Sequence, residues 1–590
     1  MEQTYPSDRG LPVQQNAMMD PPAGEPSNAP KPARTRRGHL RRFCFLYGGI
    51  AVLVLLFFLP PLVNVSRYQR RIATSIANSI GRPVHFDRIS LTLLPLPGFT
   101  IDNLVVGEDP AFGYEPIIRA NSVRATLRLS SLWRRRVEFS TISFTDPSVN
   151  LVHAANGQWN IEGILLHASQ IETAPTAQRR AGAAPRFPYI EATGARLNIK
   201  QEQEKLPFSL VEAEFALWLP DPHQWHLRLR ARPTRTDSNA SDTGIIELET
   251  TLGAAPSLSQ TPLNLEGQWR NAQLGEATRV LFGHDAGWRG QMNLAIHIRG
   301  TFGESAISTR LQLMDARPAD FIPEKPLTTE AECFATATGI FHAFEDLRCS
   351  WPPASSSQTP SIVLTGDIPN VHLPREASIQ ITAPKIPGST LLTWLRATNS
   401  TIPQNLVIGG TLTGTVTYGA LDPVPQDQAT SSPNQWQGQL ALEGAAVTTG
   451  EAKTPLLSGD IHLASPTHLP LPHPRSAAST TTPKQGFTLD PVLLQLGGHD
   501  PALLSGHLDS AGYTLHLSGM ATLARLTTFA QAFPPLGKGL LEALATTSPA
   551  AVPFHIDLTA TRPWKGTQIW QDNSAKTSKP AKTSQRRHHR

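Results

Sequence analysis

From Val84 onward the apolar residues of this chain alternate with polar ones. In WHLRLRAR, Trp225, Leu227 and Leu229 fall on one side, and His226, Arg228 and Arg230 on the other. NLAIHIRG sets Leu294, Ile296 and Ile298 against His297 and Arg299 in the same way, and IIELETTL, YTLHLSG and FHIDLTAT repeat the scheme. A period of two places successive side chains on opposite faces of a strand, here one apolar and one wet. Roughly 25 such segments follow one another, so the fold class is mainly β. Stretches rich in Pro, Ser, Thr and Gln at 172–186, 352–360, 421–435 and 464–485 read as loops or linkers. Helical patterns are few: Gly275–Gly283, Ser389–Ala397 and the region around Thr522–Ala545. Each precedes another strand pattern, GWRGQMNLAIHIRG, NLVIGGTLTGTVTYG and VPFHIDLTA respectively. Their spacing is unequal, which makes the body at 187–564 a loose pseudo-repeat with no fixed period.

Two segments before Val84 have another pattern. Residues 43–65 carry no charge, and as a helix their 23 residues reach about 34 Å, enough to cross a hydrocarbon core. The run is too long for a signal-peptide core, and no small-residue cleavage site follows it, so an uncleaved transmembrane helix is expected. Six basic residues precede it (Lys31, Arg34, Arg36, Arg37, Arg41, Arg42) and three follow (Arg67, Arg70, Arg71). The positive-inside rule then sets the N-terminus in the cytoplasm and exports the body. The arm at 1–42, rich in Pro, Asn and Gln, is expected to be disordered. Just beyond the span, Ile72, Ile76 and Ile80 share a helical face with Ala73 and Ala77 beside them; Gly81 suits a left-handed cap and Pro83 a stop. Such a helix either rests on the membrane surface or packs under the first strands.

Composition changes the picture in three respects. A chain of 590 residues exceeds one compact core and divides into several units. Its net charge of +5 belongs to its ends: residues 1–42 carry +3, the basic tail at 565–590 carries +6, and the remainder sums to −4. The folded body therefore lacks the basic face of a nucleic-acid binder. Of three cysteines, Cys44 lies in the apolar run, while Cys333 and Cys349 are close enough to close a short disulfide loop in an oxidising compartment. Two unrelated buried thiols remain the alternative. Zinc is not expected, with His342 the sole intervening histidine and no C-x-x-C spacing.

Reactive motifs are missing from the sequence: no G-x-S-x-G elbow, no H-E-x-x-H, and Gly537-Lys538-Gly539 lacks the rest of a phosphate loop. His226, His297 and His516 fall at wet strand positions, His468 and His473 in a Pro-rich linker, and His588 and His589 in the tail. No catalytic residue, metal ligand or cofactor is expected, and the protein is not read as an enzyme.

Residues 80–166 carry a more specific signature. It consists of Gly81-Arg82-Pro83, Pro95 with Pro97-Gly98, Pro110 with Phe112-Gly113, Asp146-Pro147, and Gly157 with Trp159-Asn160. In order, spacing and position after an N-terminal apolar run, this resembles the AsmA family of envelope proteins. The resemblance implies an AsmA-like region at 66–171, a single-pass anchor in the inner (cytoplasmic) membrane and a periplasmic body in a diderm bacterium. It further implies an elongated, curled, antiparallel-rich β-sheet with a few short helices. Its apolar inner groove would carry phospholipid in support of outer-membrane assembly. Leu227, Leu229, Leu294 and Ile296 are the candidates to line that groove. Each buried methylene contributes about 0.8 kcal/mol, so sheltered acyl chains would be strongly favoured. The chain departs from the family in being short and in its Pro-rich inserts. The other reading is a series of β-sandwiches that bury these residues against one another, in a structural or adaptor protein binding other envelope proteins.

Overall fold

The computed structural model describes residues 45–573 except 52–53, 55–68, 71–72, 75–76, 78–80, 94–95, 133–138, 156, 164–187, 222–223, 354–359, 420–434, 451–453, 466–485 and 545–548. The chain divides into two units, Met1–Leu62 and Val63–Arg590. In the first, Phe45–Ala51 and Val54 are helical and exposed. Among the described residues no helix is long and apolar enough to cross a membrane. The arm at 1–42 and most of the span expected at 43–65 lie outside the described residues, as does the linker expected at 172–186.

In the second unit, 25 strands form one curled mixed sheet, and the protein is mainly β. Alternation in the sequence produces this directly, because each strand offers one apolar face to a common interior. A series of separate sandwiches is not what forms: every described strand belongs to the same sheet. Near its start, Phe139–Thr145 and Ser148–His153 make one interrupted strand, antiparallel to Ile118–Leu127 and parallel to Tyr189–Gln201. The interruption is Asp146-Pro147. Asp146 has φ +47° and donates its N–H to the Thr193 carbonyl at 2.9 Å, while the Pro147 carbonyl accepts from Arg196. From Tyr189 to Asp572 each strand pairs antiparallel with the next.

Helices interrupt this meander at Leu274–Phe282, Gly388–Thr398 and Leu523–Ala532. Six described strands separate the first from the second, and six the second from the third. Because strand direction alternates, all three helices lie at the same lengthwise rim of the sheet. The repeat is regular in strands and irregular in residues, since the connecting segments differ in length. The third helix stops at Ala532, well before Ala545, because Pro534 and Pro535 cannot continue it. A second correction concerns the basic tail expected from Lys565. Ile569–Asp572 is the last strand, and Trp570 is buried on it. The charges around this short alternating run hid its apolar members.

Burial is uneven along the sheet. At the N-terminal side Val84, Ile89, Ile101, Val106 and Ile117 form a core, against which Ala73 and Ala77 pack, so these residues lie under the first strands. At the C-terminal side Leu494, Leu496, Leu517, Leu526, Leu540 and Leu558 are all fully buried. Between them lie two smaller buried clusters, one around Ala213, Leu229 and Ala231 and one under the helix Leu274–Phe282 with Trp269, Ala272, Val280 and Met292, while Ile296, Leu364, Ile381 and Val416 are only half-buried. Two glycines let the backbone follow its curl there. At Gly414 (φ +138°) and Gly438 (φ +134°) a Cβ would stand 2.2 Å from a carbonyl oxygen of the adjacent strand, so no other residue fits without a shift.

Candidate functional site

Two features of the sheet stand out: a polar clasp near its beginning and a long apolar row across its middle. The clasp gathers three parts of the N-terminal signature. Gly81, at φ +73°, ends the preceding helix with its N–H donating to the Ala77 carbonyl at 2.8 Å. This directs Arg82 inward. Its guanidinium donates to Asp109 Oδ2 at 2.8 Å and to the Asn160 carbonyl at 3.3 Å, and lies 3.7 Å from Glu108 Oε1. Pro83 accepts from Gly107 at 2.7 Å, closing the loop that carries Glu108 and Asp109. Asn160 is completely buried. Its Oδ1 accepts from the Val152 N–H at 3.0 Å, and its Nδ2 donates to Glu108 Oε2 and to the Asn150 carbonyl.

Glu108 has a carboxylate only 1% exposed, and a buried charge of this kind needs both a cation and hydrogen bonds. Arg82 and Asn160 supply them. The Ala111 N–H, and next the Arg82 guanidinium, hold the Asp109 carboxyl below the usual range. Nearby, Lys200 pairs with Glu115 and lowers that carboxyl too. Sequence reasoning missed Glu108, Glu115 and Lys200, although Glu108 sits two residues before Pro110 of the signature.

The remaining signature residues have separate places. Phe112 donates its N–H to the Asp109 carbonyl, and Gly113 has φ +130° in the same loop. Gly157 (φ +81°) forms the turn that lets Trp159 return beside His153, ring centroids 4.9 Å apart. Pro97 and Gly98 lie at the opposite end of the strand Gly98–Val106, where Pro97 accepts from Leu127. Pro147 is at the strand interruption, and Pro95 is outside the described residues.

The apolar row is defined by register. Directly opposed residues run from Ala192 through Phe215, Leu229, Leu248, Gly267, Ile296, Thr309, Cys333, Cys349, Leu364 and Ile381 to Val416. Opposed residues share a face, so twelve strands contribute one continuous line of small or apolar side chains. Leu229 and Ile296 belong to this line. Leu227 and Leu294 lie two residues to either side of it on the same face, Leu227 opposite Leu217 and Leu294 between Trp269 and Leu311. Ile296, Leu364, Ile381 and Val416 are half-buried.

Cys333 and Cys349 stand opposite each other in this line and are joined by a disulfide, Cα atoms 4.0 Å apart. Two residues further, Trp351 stacks on Trp394 of the Gly388–Thr398 helix at 4.1 Å. The opposite face is polar. Arg228 pairs with Glu249, Arg230 with Glu214 and Glu247, and Arg310 with Glu330 and Glu332. His297 is exposed there, whereas His226 stacks on Trp218 and His516 hydrogen-bonds Asp557 at 2.9 Å. Of the three wet-face histidines, only His297 is simply solvated.

A single curled sheet with one apolar face, stapled by a disulfide and opened by an N-terminal polar clasp, defines the class of this protein. The AsmA family model matches residues 43–214, a segment that is therefore similar to that family; the match contains the entire clasp and reaches into the strand Glu204–Asp221. No curated protein and no solved structure matches the chain.

Proposed function

We propose that the sheet shelters phospholipid acyl chains along its apolar face, as a non-enzymatic envelope protein anchored in the inner membrane with its body in the periplasm. The observation that carries this reading is the half-buried apolar row from Leu248 to Val416. The protein maintains a continuous line of small or apolar residues in which Leu248, Ile296, Leu364, Ile381 and Val416 stay half-buried, which is costly in water unless something apolar covers it. The clasp and its family signature support an envelope location and a role in outer-membrane assembly. The polar outer face, with its paired charges, suits a body surrounded by water.

The test is lipid mass spectrometry on the full chain purified in mild detergent. Stoichiometric phospholipid is expected. A protein that carries none, and takes up none from vesicles, overturns the reading in favour of an adaptor that binds other envelope proteins.

A further inference from the structure

The apolar face changes character over the strand Leu406–Gly419. Up to it, Leu248, Ile296, Leu364, Ile381 and Val416 are half-buried. Leu406 on that strand already joins a buried cluster with Val447 and Leu457, which continues through Leu494, Leu517, Leu558 and Ala560 on the same side of the sheet. The helix Leu523–Ala532 fills this part, placing Leu526 and Phe529 on the strands. The last strand is closed as well, since Trp570 is buried and its indole N–H donates to the Leu536 carbonyl at 2.9 Å.

The filling is tied down by polar contacts. Thr522 accepts from the Arg525 N–H to cap the helix, and its own N–H donates to the Leu496 carbonyl at 2.8 Å. The Arg525 guanidinium reaches the carbonyls of Gln495 at 3.0 Å and Pro455 at 2.9 Å. Gly497 allows this approach, because a Cβ there would meet Thr522 Oγ1 at 2.7 Å. A swinging lid would not be bolted to the ends of two separate strands, Leu457–Ala464 and Phe487–Leu494.

We infer that the C-terminal strands are a fixed plug, so that acyl chains occupy only the middle of the sheet and exchange sideways, never passing out across the last strand. This rests on the lipid-bearing reading above. It makes the protein a carrier or reservoir and not an end-to-end conduit. From the strand of Leu248 to that of Val416 there are about eight strand spacings, roughly 38 Å along the sheet. One extended acyl chain spans about 15 Å, half a bilayer core, so the open part accommodates chains from more than one lipid.

The unmodified full chain is loaded from dioleoyl phosphatidylethanolamine vesicles and its hydrogen exchange compared with the lipid-free protein. Lipid should slow exchange in strands between 245 and 419 and leave 512–521 and 554–560 unchanged. Photo-crosslinkers give an independent measure: one at Ile296 should capture the lipid, and one at Leu558 should capture none above background. Lipid-dependent protection of 512–521, or capture at Leu558 equal to that at Ile296, overturns the plug while leaving lipid binding intact. No protection and no capture at any position overturns the lipid-bearing reading itself, and the plug with it.

Discussion

Arg82 donates a hydrogen bond to the backbone carbonyl of Asn160 at 3.3 Å, joining segments 78 residues apart and standing over the buried carboxylate of Glu108. Removing the guanidinium strands that carboxylate. Arg82→Ala should destabilise the N-terminal strands by about 3–5 kcal/mol, the usual consequence of breaking a buried pair from one side. Arg82→Ala combined with Glu108→Gln should recover part of the loss. Denaturant unfolding of the three proteins measures it, and an unaltered midpoint for Arg82→Ala contradicts the role assigned to the clasp.

Acid should loosen the protein through its paired carboxylates. Asp109 is held low chiefly by the Ala111 N–H, Glu115 by Lys200, Asp285 by the Gly287 N–H and Asp557 by Asn573. A carboxyl whose folded pKa is depressed contributes stability above its unfolded pKa and loses it as pH falls through the folded value. Melting temperature should therefore be insensitive to these groups near neutrality and drop once pH passes below about 4. A fall between pH 7 and 5 would point to other groups.

Reduction of the Cys333–Cys349 bond should act locally. The bond closes a loop of sequence separation 16, for which chain entropy gives about 3 kcal/mol. No residue between Thr338 and Trp351 is fully buried, so the hairpin of Leu327–Thr338 and Ala343–Trp351 has little core to replace the bond. Hydrogen exchange of the reduced protein should accelerate in this hairpin first. Uniform acceleration across the sheet would argue against a local staple.

The two faces should respond differently to charge. Ile296→Asp puts a carboxylate in the apolar row, and His297→Asp puts one on the polar face beside it. Co-purifying lipid should fall several-fold for the first and stay unchanged for the second, while both remain folded because neither site is fully buried. Equal lipid content in both variants would remove the row from the binding surface.

Curling of the sheet should depend on Gly414. Its φ of +138° and the Gln439 carbonyl 2.2 Å from a would-be Cβ make Gly414→Ala a strained change, of order 1–3 kcal/mol. Thermal unfolding measures the loss. A neutral outcome would mean that the strand relaxes there freely.

Much of this architecture is visible in the chain alone, for a physical reason. Alternation is local, so WHLRLRAR and NLAIHIRG reveal their faces without knowledge of their neighbours. The helices at Leu274 and Gly388 are bounded by local signals too, such as the left-handed Gly283. Pairing is not local. Nothing in FSTISFT announces that it will lie parallel to a strand some fifty residues later, nor that Glu108 will be buried under Arg82. The last strand was hidden because a run of lysines and arginines outweighs one buried tryptophan in any average over composition.

The placing of six described strands between successive rim helices has a consequence for how such a protein changes length. Alternating strands return the chain to the same rim only after an even number. Adding or deleting an odd number would throw the next helix to the opposite rim and reverse every later connection. A block of six strands with its helix preserves both, and carries its own rim packing with it. At about 4.8 Å per strand each block extends the sheet by roughly 29 Å. Span in this architecture is therefore counted in whole modules, as on a ruler with one graduation, and homologous recombination between helices is the cut that leaves the reading of both faces intact.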